Sequence, residues 1–215
     1  MENLAQQSDF WDRSAASKVF SHPLDHARFA REVSAEAAVL DYGCGRGRLC
    51  AELAQRGFAS VVGVDYSPQM IEAAKREHPK LYVAVVDGSV LPFADESLDA
   101  VLLFAVLTCI PSDTAQRELM AQISRVLKRG GLLLISDYPL QTDARNVERY
   151  SAFAQEFAVH RTFRLPNGGV VRHHQREWFA ELLDGYSIHD EIDIDATTMN
   201  GNPAHIVQIL ARRNS

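Results

Sequence analysis

Three glycines stand at alternate positions, Gly43, Gly45 and Gly47, directly behind the short apolar run of "VLDYGCGRGRL". Alternate glycines allow tight backbone angles, bring main-chain amides within reach of a ligand and aim the N-terminus of a following helix at it. An acid, Asp41, precedes the first of them by two residues, and two more acids close apolar runs: Asp65 in "SVVGVD" and Asp87 in "VVDGSVLPF". A carboxylate at Asp65 can accept both hydroxyl hydrogens of a ribose. One at Asp87 can accept from an exocyclic amine of adenine while the amide of Gly88 faces a ring nitrogen. The dinucleotide fingerprint G-x-G-x-x-G would need glycine at 48, where the chain has Arg48. A NAD-type dinucleotide is therefore the disfavoured alternative.

These residues need strands and helices to carry them. From residue 37, short apolar runs alternate with amphipathic stretches, the pattern of parallel strands joined by crossover helices. "AVLDYG", "SVVGVD", "LYVAVVDG", "SLDAVLLFAVL" and "RGGLLLISDY" read as five strands, and "IHDEIDID" and "AHIVQILARR" as two closing ones. Leu49, Cys50, Leu53 and Ala54 share one helical face, Ser67 and Pro68 open a second helix, and Leu119, Ile123, Val126 and Leu127 recur at helical spacing. Strands so uniformly apolar belong in a sheet covered on both faces. The expected fold is α/β: a doubly wound, mostly parallel seven-stranded sheet with helices on both faces. In such sheets ligands bind beyond the carboxyl ends of the strands.

The chain has 215 residues, 47% of them hydrophobic, enough for one sizeable core and short for two ordinary domains. One domain over 1–215 is expected, with a helical lid at 1–30 and an insert at 139–174 after the fifth strand. That insert joins a helical stretch to a hairpin turning at "PNGG". A formal net charge of -6 disfavours nucleic acid and anionic membranes as partners. The N-terminus lacks a basic end followed by an apolar stretch, and the longest apolar run is too short to span a bilayer, so a cytoplasmic location is expected. Cys44, Cys50 and Cys109 have no metal-ligand spacing, and no metal is expected.

Together these motifs resemble the class I, Rossmann-like S-adenosylmethionine-dependent methyltransferases of small-molecule type, over roughly residues 36–138 and in the final strands. "LDYGCGRG", "GVDYS", "VVDGSVLPFADESLDAV" and "LKRGGLLLISD" look like successive motifs of that family. The resemblance implies S-adenosylmethionine as cofactor, with Gly43 and Gly45 against its methionine part, Asp65 on the ribose and Asp87 on the adenine. Tyr66, Gly88 and Phe104 belong to the same expected site. Asp41 either orients the glycine loop or touches the cofactor; Met70 either grazes the adenine or packs in its helix.

Methyl transfer from a sulfonium is an in-line displacement in which positioning supplies much of the acceleration. The fourth strand ends "FAVLTCIP", without the Asn/Asp-Pro-Pro-Tyr/Phe signature of enzymes that methylate exocyclic amines. A small molecule is the leading acceptor, with protein or RNA as the alternative. The acceptor side is expected to draw on Trp11, Tyr138, Arg145, Arg172 and His173. Within "VVRHH", strand alternation lets only one histidine face the site, and His174 shares a face with Arg172. His174 is taken as the candidate base, with Arg172 beside it to hold an anionic substrate.

Overall fold

The computed structural model describes residues 4–14, 22–87, 90–166 and 168–215. In chain order the elements are α1 (Leu4–Ser14), α2 (His26–Glu32), β1 (Ala38–Tyr42), α3 (Arg48–Gln55), β2 (Ser60–Asp65), α4 (Pro68–Glu77), β3 (Tyr82–Val85) and β4 (Leu98–Phe104). A 3-10 turn at Leu107–Cys109 leads to α5 (Asp113–Val126), β5 (Leu127–Asp137), α6 (Ala144–Ala152), β6 (Thr162–Arg164), β7 (Val170–Arg172), α7 (Arg176–Leu182), β8 (Tyr186–Thr197) and β9 (Pro203–Arg213).

The seven-stranded sheet has the order β3-β2-β1-β4-β5-β9-β8, so the chain reverses direction of growth between β1 and β4. All its strands run one way except β9, which pairs antiparallel with both β5 and β8. Register sets Tyr42 beside Val64 and Leu103, Asp65 beside Val85, and Phe104 beside Ser136. The carboxyl ends of five strands thereby form one rim.

Strand alternation covers both faces, as the apolar runs require. Leu40, Val101, Leu103, Leu133 and Ile135 pack against Ile123 of α5 and Phe179 of α7. Val39, Ala100, Leu102, Leu132 and Leu134 pack against Phe29 of α2 and Leu49 and Leu53 of α3. Ser67 caps α4 by accepting from the Met70 amide at 3.1 Å, and Pro68 takes the first helical position, where its missing N–H is harmless.

Above the rim lie α1, α6 and the β6–β7 hairpin. In α1, Asp12 accepts from Ser67 and from the Gln69 amide at the start of α4, while Gln7 bonds both backbone groups of Val170. Phe10 fits so closely over the hairpin that a Cβ on Gly169 would lie 2.5 Å from its ring. No helix among the described residues is long and apolar enough to cross a membrane.

Candidate active site

At the end of β1 the chain turns through Gly43 (φ 74°), Gly45 (φ 53°) and Gly47 (φ 79°), all in the left-handed region that side chains disfavour. A Cβ on Gly43 would also stand 2.7 Å from the Val106 side chain. The amides of Gly43 and Cys44 donate to the Val64 carbonyl, that of Gly45 to Asp65 at 2.9 Å and that of Gly47 to the Cys44 carbonyl. The amides of these three glycines are thus taken up within the fold, and the glycines serve curvature and close packing.

This loop opens on a cavity of about 710 Å³ running along the rim. Asp41, Tyr42, Gly43, Gly45, Asp65, Tyr66, Met70, Asp87 and Phe104 all line it. Gly88 lies outside the described residues, as does Phe20 of the expected lid. Asp65 is buried and accepts the Gly45 and Ser67 amides, each at 2.9 Å, yet burial still raises its pKa to about 6. Burial raises Asp41 further, to about 7, although the Cys50 thiol donates to it at 3.4 Å. Neither acid has an ion-pair partner among the described residues, whereas Glu52 and Glu77 are paired with Arg48 and Arg46. Asp87 is exposed at the outer edge. Met70 packs with Phe10, Trp11 and Tyr66, which places Trp11 of α1 on the cavity wall.

The far end of the cavity is built differently. Tyr138, just past β5, stacks on His173 with ring centroids 5.3 Å apart and meets the edge of His22 at 4.8 Å. All three rings line the cavity. His22 Nδ1 lies 3.2 Å from the Ser136 carbonyl, which can only accept, so Nδ1 carries the proton and Nε2 keeps its lone pair. That buried Nε2 has no hydrogen-bond partner among the described residues. Burial lowers the pKa of this histidine to about 4, so the ring is neutral. His173 Nδ1 lies 2.6 Å from the Tyr150 hydroxyl, whose oxygen already accepts the Gln141 amide, leaving the phenolic hydrogen for the imidazole.

Two sequence expectations fail here. His174 and Arg172 do share a face, but it turns away from the cavity. His174 is fully buried, with Nε2 2.9 Å from Gln116 Nε2 and its ring against Phe179. Arg172 is paired with Asp113 and lies over Trp178. The reason is the pairing of this strand with the chain after β5, through His174 N to Tyr138 O at 3.1 Å and Leu140 N to His174 O at 2.8 Å. That registration sends Val171 and His173 toward the cavity and their neighbours toward α5 and α7. Arg145 does line the cavity.

Other lining residues carried weaker signals in the sequence. His22 sits in a stretch without periodicity, and Arg149 lies one helical turn beyond Arg145 with nothing to distinguish it from a solvated arginine. The tip of the β8–β9 hairpin contributes Thr198, Met199 and Asn202. Its "NGNP" marks a turn but not what the turn covers.

Comparison with known proteins bears on this geometry. Residues 40–135 match the family model described as a methyltransferase domain. A demethylmenaquinone methyltransferase of Beutenbergia cavernae is 33% identical over 120 residues, covering 55% of this chain and 48% of that protein. The O-methyltransferase resE of Aspergillus sclerotiorum is 28% identical over 183 residues, covering 77% and 65%. The chain thus spans less than two thirds of either relative. In fold it is similar to a crystal structure of a SAM-dependent methyltransferase from Methanosarcina mazei, with a TM-score of 0.81, 24% identity and coverage of 91% and 99%. Residues 40–135 thus match a methyltransferase domain, set in a class I, Rossmann-like fold similar to that of a SAM-dependent methyltransferase.

Proposed function

We propose that the protein transfers a methyl group from S-adenosylmethionine to a small-molecule acceptor by in-line displacement. The observation that carries this reading is the pair of buried acids, Asp41 and Asp65, which line the cavity at the glycine loop and stand in no ion pair among the described residues, Asp65 accepting the Gly45 and Ser67 amides. Such a site suits a ligand that is itself cationic and rich in hydroxyls. Asp65 would hold the ribose, Asp87 with Gly88 the adenine, and Gly43 and Gly45 the amino-acid part, with Asp41, Tyr66, Met70 and Phe104 closing the walls.

When bound, the cofactor supplies an electrophilic methyl on a sulfonium whose departure leaves a neutral thioether. The chain's own task is then to orient the acceptor, exclude water and take up a proton if the acceptor atom bears one. His22, which lines the cavity, is the residue we assign to the last step. Where the acceptor heteroatom bears a proton, that proton would pass to His22 Nε2 as the heteroatom takes up the methyl. A weakly basic imidazole suffices, because the proton becomes strongly acidic as the new bond forms. His173 and Tyr138 would contact the acceptor body.

Residues 1–30 and 139–174 act in this reading as the acceptor-side cover of a single domain spanning 1–215, with Trp11 the point where the lid meets the cofactor. A reducing compartment such as the cytoplasm suits the three free thiols. The test has two arms. Calorimetry with S-adenosylhomocysteine and with NAD checks the cofactor, and comparable NAD affinity would overturn it. Labelled methyl donor incubated with metabolite extract, and with nuclease- or protease-treated extract, checks the acceptor; label lost on nuclease or protease treatment would point to RNA or protein.

A further inference from the structure

The carboxylates around the cavity are segregated, whereas arginines line both ends, Arg46 and Arg48 at the first being paired with Glu77 and Glu52. Every carboxylate among its lining residues, Asp41, Glu52, Asp65, Glu77, Asp87 and Glu118, comes from the chain before β5. The lining drawn from residues 138–204 holds Arg145, Arg149 and His173 and no carboxylate. Four arginines of the insert region could bias it toward anions, and their partners separate them. Arg164 is paired with Glu156 and Arg172 with Asp113, both outside the cavity. Arg145 lies 3.6 Å from Asp143, which already caps α6 through Asn146. Arg149 has no carboxylate partner among the described residues.

Arg149 is also held in place. Its guanidinium lies 4.6 Å over the Phe163 ring and donates to Asn146 at 3.2 Å, so the planar fork is fixed without being neutralised. Partial burial and the neighbouring Arg145 both act against its charge. Around it Phe163, Leu165 and Val171 give the wall an apolar character. A fixed, part-buried, unneutralised guanidinium beside aromatic carbon suits one ligand class: an apolar body bearing a carboxylate, which the fork can bind bidentately.

We propose that the methyl acceptor carries a carboxylate, bound by Arg149 with Arg145 in support, so that the acceptor's reacting end points back along the cavity toward the glycine loop. This rests on the methyl-transfer reading above and narrows its substrate class.

The experiment uses the full chain saturated with S-adenosylhomocysteine, titrated with benzoate and with its neutral isostere benzamide and followed by ligand-observed NMR. Benzoate is expected to bind about tenfold to a hundredfold more tightly than benzamide, the range that charge-assisted hydrogen bonds support. Arg149→Gln should abolish that preference, Arg149→Lys should retain part of it, Arg145→Gln should reduce it and Arg164→Gln should leave it intact. Equal binding of the two probes, an undiminished preference in Arg149→Gln, or inorganic phosphate binding more tightly than benzoate would each overturn the proposal. Retained S-adenosylhomocysteine affinity in the variants shows that they fold. A wild-type protein that does not bind it at all would refute the methyl-transfer reading instead.

Discussion

At the glycine-loop end of the cavity the lining side chains stand mostly at or just past the carboxyl ends of β1 to β4, where parallel register holds neighbouring strands level. At the other end, His22, Arg149, His173 and Met199 arrive from a loop, a short helix, a strand end and a hairpin tip separated by long stretches of chain. The first end holds its groups through backbone geometry: positive φ at three glycines and amides bonded to Asp65. The second holds them through side chains bonded to side chains, as in Tyr150 on His173 and Asn146 on Arg149. Backbone placement tolerates little variation, while side-chain placement can be rebuilt by changing a few residues. The glycine-loop end is thus the more constrained architecture, and the other end is where, on the reading proposed above, specificity can be set.

That contrast can be broken most decisively at His22. His22→Ala should lower turnover by roughly 10²–10⁴-fold on a proton-bearing acceptor while leaving S-adenosylhomocysteine affinity unchanged. His174→Ala, by contrast, removes a buried ring that packs on Phe179 and should lower the melting temperature without a selective loss of rate at equal folded fraction. If the two variants exchange these phenotypes, the acceptor end has been misassigned.

At the cofactor end Asp65→Ala removes the acceptor for the Gly45 and Ser67 amides and the proposed partner of the ribose. Calorimetry should show S-adenosylhomocysteine affinity falling about tenfold to a hundredfold. Undiminished affinity would mean that the rim of strand ends does not hold the nucleoside.

A smaller effect concerns the unmatched acids. Burial holds the folded-state pKa of Asp41 at about 7, above its ordinary value, so folding retains a proton there that the unfolded chain releases. The resulting penalty is absent below about pH 4, grows as pH rises and is complete above about pH 7. Asp41→Asn should therefore stabilise the ligand-free protein relative to wild type by on the order of 1 kcal/mol more at pH 8 than at pH 5. The comparison must be between variants, because His22, His173 and His174 have lowered values and make the wild type lose stability in acid. Urea titrations at the two pH values measure it, and a pH-independent difference would show that Asp41 is not held protonated.

The smallest effect lies between the two ends. Ala105, just after β4, adopts φ 55° and lines the cavity. A left-handed residue with a Cβ costs about 1–2 kcal/mol, while glycine costs roughly 0.5–1 kcal/mol through the unfolded chain. Ala105→Gly should raise stability by about 0.5–1 kcal/mol. A melting temperature that falls instead would mean that the Ala105 methyl contributes packing worth more than the backbone strain.

The sequence by itself determined the sheet and one end of its cavity. Apolar runs ending in Asp41, Asp65 and Asp87 settle where strands stop, and in a parallel sheet stopping points become neighbours. Periodicity likewise marked α3 and α5, and Ser67 with Pro68 marked where α4 begins. Tertiary structure alone decided which face of "VVRHH" meets the cavity. Alternation puts His173 and His174 on opposite sides, but the choice between sides depends on the pairing of that strand with Tyr138 and Leu140, a long-range contact with no local signature. The same holds for the arginines. Arg145, Arg149, Arg164 and Arg172 are equivalent as letters, and only their distances to Asp143, Asn146, Glu156 and Asp113 distinguish cations with a carboxylate nearby from the one without a carboxylate partner among the described residues.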